Sequence, residues 1–247
     1  MPLALQAGFR GLFSGSALLL GALVGYFARV PQRLIAAIMA FGSGVLISAL
    51  SFDLMDEAYR RGGLDAAAVG FLGGAAVYTL ANIVLARAGA RHRKRSGEHQ
   101  AKSDSNGGAI ALGALLDGIP ESVVIGVSLI AGGAVGWVAV VAVFLSNVPE
   151  GLSSAAGMKT AGRSPLYVFG LWSAITLVSG LAALGGYALL QDASPNLVAG
   201  IQALAAGAIL AMIADTMIPE AFEVAHDYAG MITVAGFLSA FALTKLS

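Results

Sequence analysis

The sequence contains no cysteine, which excludes disulfides, thiolate metal ligands and cysteine nucleophiles together. Charge is scarce as well: Asp, Glu, Lys and Arg make up 11% of the 247 residues, against about a quarter in a soluble domain. The formal net charge is zero, so there is no global basic field to draw nucleic acid. Three histidines are present, and no H-E-x-x-H pair, GxSxG elbow or GxxxxGK[ST] loop occurs. Those absences argue against a zinc hydrolase, a serine hydrolase and a nucleotide-driven machine in turn. What remains is 57% hydrophobic and carries 33 glycines, as expected where helices pack closely inside a bilayer.

A helix crossing the hydrocarbon core needs about 20 apolar residues. On that ruler eight spans are expected, near 8–28, 33–58, 64–87, 108–130, 135–158, 166–190, 197–222 and 229–246. The N-terminal apolar run reads as the first span and not as a cleavable signal. Turn and charge signals separate the spans: Arg29 to Arg33 around Pro31, Arg60 to Gly63, Gly132–Gly133, Lys159 to Pro165, and Asp192 to Asn196. The one long polar segment, "RAGARHRKRSGEHQAKSDSNGG" (87 to 108), is basic, rich in Ser and Gly, and without apolar periodicity, so 88–107 is expected to be a flexible loop. Eight spans would put ten Lys and Arg on the side of that loop and four (Arg10, Arg60, Arg61 and Lys245) on the other. The positive-inside rule then places the loop in the cytoplasm and both termini outside, in a cell membrane. The whole chain reads as one transmembrane domain, residues 1–247.

A short internal repeat accompanies this pattern. "GVLISALSFDLMDEA" (44 to 58) and "GAILAMIADTMIPEA" (207 to 221) share a glycine followed thirteen residues later by Glu-Ala. They fall in the second and seventh expected spans, so the odd offset makes them antiparallel, an arrangement common in transporters.

Ionisable groups at bilayer depth cost roughly 2.5–3.5 kcal/mol each on insertion scales and usually face an interior site. Here they are Asp53, Asp56, Glu57, Asp117, Glu121, Glu150, Asp215 and Glu220. The pairs Asp53/Glu57, Asp117/Glu121 and Ser146/Glu150 are each four apart, hence on one helical face, with Asn147 three before Glu150. Carboxylates facing one another in low dielectric repel, and the spans hold almost no Lys or Arg to compensate. The compensating charge is expected from a divalent metal ion or from protons, and oxygen-only donors suit hard or borderline ions. Pro120 and Pro149 stand directly before Glu121 and Glu150 and release the carbonyls of Leu116 and Leu145 from helical bonding. Set against this, Asp56, Glu57, Glu220 and Glu223 lie near span ends, where an interfacial position accounts for them equally well. Met55, Met212 and Met217 read as packing, His92 and His99 as solvated loop residues, and His226 as a helix-end residue.

Two consecutive spans carrying "DGIPES" and "SNVPEG", after three spans and a cytoplasmic loop, resemble the ZIP family of zinc- and iron-regulated-transporter-like metal permeases, prokaryotic type. The likeness covers the whole chain. It implies an all-α membrane fold of eight helices in a 3+2+3 arrangement, the first and last triplets related as inverted repeats. It implies a metal site built by Asp117, Glu121, Asn147 and Glu150, with Ser146 secondary and with Asp53, Glu57 and Asp215 as relay ligands. Family members carry His-Asn before Pro-Glu in span four and His or Gln in span five; here Asp117, Gly118 and Ser146 stand in those places, Ala183 replaces a span-six Glu, and Asp215 and Thr216 replace a span-seven His-Glu pair.

The expected function is therefore import of a divalent cation, zinc first and iron(II) or manganese next, as transported substrate, with no cofactor and no catalysis. Its partners are the metal ions, the bilayer and, where it assembles, a second copy in a homodimer; nucleic acid is not among them. The alternatives are a metal sensor or scaffold that does not transport, and an intramembrane metal-dependent enzyme.

Overall fold

The computed structural model describes residues 1–87, 107–131 and 135–246. Most of the expected loop, 88–106, lies outside the described residues, as does the turn at 132–134. Among the described residues the chain is all-α, with no strand. In order the helices are α1 Leu3–Phe27, α2 Gln32–Ala49, α3 Asp56–Leu85, α4 Gly107–Ala131, α5 Val135–Thr160, α6 Pro165–Leu190, α7 Pro195–Met212, α8 Ile218–Ala225 and α9 Ala229–Leu246. Two π-helical turns, Leu50–Met55 and Ile213–Met217, join α2 to α3 and α7 to α8.

Local chemistry sets the helix starts. α6 and α7 both open on Ser-Pro: the hydroxyls of Ser164 and Ser194 accept the amides of Tyr167 and Leu197, and the proline takes the first helical position, where its missing N–H is not needed. Among the described residues, six helical stretches are long and apolar enough to cross a membrane, instead of eight separated by polar links. The difference lies in two stretches, Gln32–Leu85 and Pro195–Leu246, of 54 and 52 residues. At about 1.5 Å per residue a straight rod of that length would approach 80 Å, far beyond a core of about 30 Å. Neither is straight. Gly63 (φ 70°, ψ −175°) interrupts α3, and His226 (φ 44°) interrupts the path from α8 to α9. The breaks are so short that helix resumes almost at once on either side.

These landmarks recur at one spacing. Gln32 and Pro195 start α2 and α7, Leu50 and Ile213 start the π turns, and Gly63 and His226 are the breaks; each pair is 163 residues apart. Packing follows the same relation: α3 lies along α7 and α2 along α9, while α1 lies against both α5 and α6. Glycines bring the backbones together. A Cβ on Gly44 or Gly236 would collide with the carbonyl of Thr233 or Phe41, and one on Gly207 or Gly74 with that of Phe71 or Leu204. Small residues at helix crossings are how membrane helices gain close van der Waals contact.

The polarity is that of a protein in lipid. Leucine, valine and phenylalanine face outward along α1, α3, α6 and α9, including Phe9, Leu72, Leu80, Leu181 and Leu238. Asp53, Asp117, Glu121, Glu150, Asn147, Gln202 and Glu220 are all buried. The chain is thus a membrane protein by composition and by the placement of its side chains.

Candidate metal centre

α4 and α5 supply the centre, and both run helical through their internal prolines, Pro120 and Pro149. Asp117 and Glu121 are each 2% exposed, Ser146 2%, Asn147 4% and Glu150 7%. All five residues expected at the metal position are therefore buried, on two neighbouring helices. The Ser146 hydroxyl of α5 lies 3.5 Å from Glu121 Oε1 of α4 while donating to the Val143 carbonyl at 2.9 Å. Asn147 Nδ2 donates to the Ser14 carbonyl of α1 at 3.1 Å, which leaves its Oδ1 as the atom suited to a metal. Beside Gly118 there is room: a Cβ there would meet only the Ser179 hydroxyl of α6, at 3.8 Å.

Two partners come from outside this pair. The Tyr78 hydroxyl of α3 donates to Asp117 Oδ1 at 2.7 Å, and Tyr78 is 1% exposed. On the other flank the Ser153 hydroxyl of α5 donates to Glu220 Oε1 of α8 at 2.8 Å. Glu220 thereby extends the buried polar row Glu121, Ser146, Glu150, Ser153. Sequence reasoning left Glu220 between two readings and did not single out Tyr78, a lone tyrosine in an apolar span with no spacing partner.

The remaining candidates stand apart. Asp53 is buried, accepts from Thr244 of α9 at 3.4 Å, and faces a void of about 10 Å³ walled by Leu46, Leu50, Val124, Val143 and Ile209. Val124 and Val143 lie one turn from Glu121 and Ser146, so an apolar layer separates Asp53 from the centre. Glu57 is held by Arg61 at 2.5 Å, and Asp56 by Arg60 at 2.7 Å, both at the outer end of the bundle. Asp215 is exposed. Both groups lie at π turns, where the 3.6-residue period behind the four-residue spacing rule is interrupted. Asp53 and Glu57 straddle the end of the first π turn, and the second separates exposed Asp215 from buried Glu220.

Among the described residues, no three Asp, Glu or His side chains converge as a ready-made metal cage. Any ion held here would need the amide and hydroxyl oxygens of Asn147 and Ser146 in addition to the carboxylates. Comparison with known protein families and with curated proteins gave no match for this chain.

Proposed function

We propose that this chain is a divalent-metal permease of the kind its tandem Pro-Glu motifs resemble, the ZIP family, and that it carries metal into the cytoplasm of the cell. The observation that carries the reading is the burial of Asp117, Glu121 and Glu150 on two adjacent proline-containing helices, in a segment (107–158) with no Lys or Arg. Charge placed there is stabilised by a cation passing through. Zinc is the first candidate because divalent affinity rises from manganese to zinc, and iron(II) or manganese come next because oxygen donors narrow that advantage.

Under this reading the chain has eight spans, the two longest helical stretches each folding into two at Gly63 and His226. The constant spacing of 163 residues and the reciprocal glycine contacts support a 3+2+3 arrangement with related outer triplets. Asp53 would meet the ion toward the outer end, with Glu57 beside it already paired with Arg61. Ser153 and Glu220 would pass it on toward the cytoplasmic end, where Arg33 and His226 line one pocket. Asp215, being exposed, takes no part. Both termini lie outside, no cofactor is needed, and the chain catalyses no reaction.

Uptake of zinc, manganese and iron(II) by purified protein in sealed liposomes tests the proposal. Glu121→Ala and Glu150→Ala should each abolish uptake in correctly inserted protein. Binding without uptake by the unaltered chain would turn the reading to a sensor or scaffold. Near-normal uptake in both variants would remove the α4–α5 site.

A further inference from the structure

Tyr78 belongs to α3, a helix that packs chiefly along α7, yet its hydroxyl reaches into the α4–α5 centre. The ring is buried and the donor–acceptor distance of 2.7 Å is that of a strong hydrogen bond to a carboxylate. A buried phenol that swung away would need another acceptor, so the hydroxyl stays committed to Asp117 Oδ1. This has a consequence for how Asp117 meets an ion. A carboxylate coordinates either through one oxygen or through both, and the second mode requires both oxygens to turn toward the same metal. With a proton donor fixed on Oδ1, Asp117 is biased to one-oxygen coordination through Oδ2.

Ions differ in what they ask of a carboxylate. Zinc takes four ligands in a tetrahedron and is satisfied by single oxygens at about 2.0–2.2 Å. Calcium takes six to eight oxygens at about 2.3–2.6 Å and commonly uses carboxylates in the two-oxygen mode. We propose that Tyr78 is a positioning residue for ion selection: by occupying Oδ1 it holds Asp117 to one-oxygen coordination and disfavours large, many-coordinate cations against zinc. The proposal rests on the reading of the α4–α5 centre as the ion's path. Tyr78 does not touch the ion. It acts through Asp117, and nothing in the motif spacing points to it.

The test is calcium inhibition of zinc uptake in liposomes, compared between the unaltered chain and Tyr78→Phe. Removing the hydroxyl takes that donor away from Oδ1, and the calcium concentration that halves zinc uptake should fall roughly tenfold, the scale of one hydrogen bond to a charged group. In an Asp117→Asn background the same Tyr78→Phe change should have no effect on calcium inhibition. A purely structural role would lower the amount of active protein without moving the half-inhibition point. An unchanged point in Tyr78→Phe, or an equal shift in the Asp117→Asn background, overturns the proposal. Should Tyr78→Phe fail to insert, fluorotyrosine at position 78 keeps the ring and alters only donor strength; a half-inhibition point that ignores this overturns it too. Vesicles of the unaltered chain that take up no divalent ion would bring down the path and Tyr78's role together. Zinc uptake with calcium sensitivity indifferent to Tyr78 would sink the latter alone.

Discussion

Glu121→Gln separates what the carboxylate does for the fold from what it does for the ion. Glu121 is 2% exposed in the middle of α4, so its charge is held away from water without an ion present. On insertion scales a charged residue at such depth costs roughly 2.5–3.5 kcal/mol, and a neutral amide of the same shape relieves part of this. The metal-free variant should therefore be at least as stable as the parent. For a chain of this size each kcal/mol corresponds to about 2–4 °C in Tm, so a gain of a few degrees is expected. Metal reverses the order. An ion present at a hundredfold excess over its Kd stabilises the folded state by about 2.7 kcal/mol, which raises the parent's Tm by roughly 5–10 °C. The variant should lose most of that rise. Thermal unfolding of both proteins in detergent, with and without zinc, reads both effects in one experiment. A variant that keeps the full metal-dependent rise, or that unfolds several degrees early without metal, would refute the reasoning.

Three further outcomes are expected. Glu220→Gln should lower the maximal rate of zinc uptake while leaving zinc-dependent thermal stabilisation nearly intact, because Glu220 lies on the way out and not at the centre; equal loss of both would move it into the centre. Deleting 92–104 should leave maximal uptake largely unchanged, and a complete loss in inserted protein would make the basic segment part of the path. Asp117→His should shift zinc-versus-manganese competition toward zinc, since imidazole favours zinc more than oxygen donors do; an unchanged ratio would mean Asp117 does not coordinate the ion.

The all-helical, membrane-compatible class was legible from hydrophobic run length, and the shared burial of the α4–α5 polar residues from their spacing around two prolines. Those helices keep α-helical phase through the motif, so residues three and four apart do share a face. Asp53 and Glu57 were read by the same rule, but their spacing crosses the end of the π turn Leu50–Met55, where α-helical phase does not hold; Asp215, expected as a relay ligand from the resemblance, lies in the second π turn, Ile213–Met217, and is exposed. Composition gives no warning of a π turn. Tyr78 was illegible for a different reason: its partner, Asp117, is 39 residues away on another helix, and single-helix periodicity carries no information about such contacts.

The short repeat deserves a closer physical reading, since its two copies do different things. Glu57 and Glu220 occupy matching positions, 163 residues apart, each just after a π turn and followed by alanine. Four residues on, Glu57 meets Arg61, and the two form an ion pair within one helical face. The matching position after Glu220 is Val224, which offers no charge. Glu220 instead turns inward and accepts from Ser153 of α5. The two copies thus differ in partner: Glu57 pairs with an arginine on its own helix, while Glu220, with valine at that place, bonds across to α5. A repeated scaffold thus holds two chemically distinct carboxylates: one paired with an arginine on its own helix, and one joined through Ser153 to the buried polar row of α5.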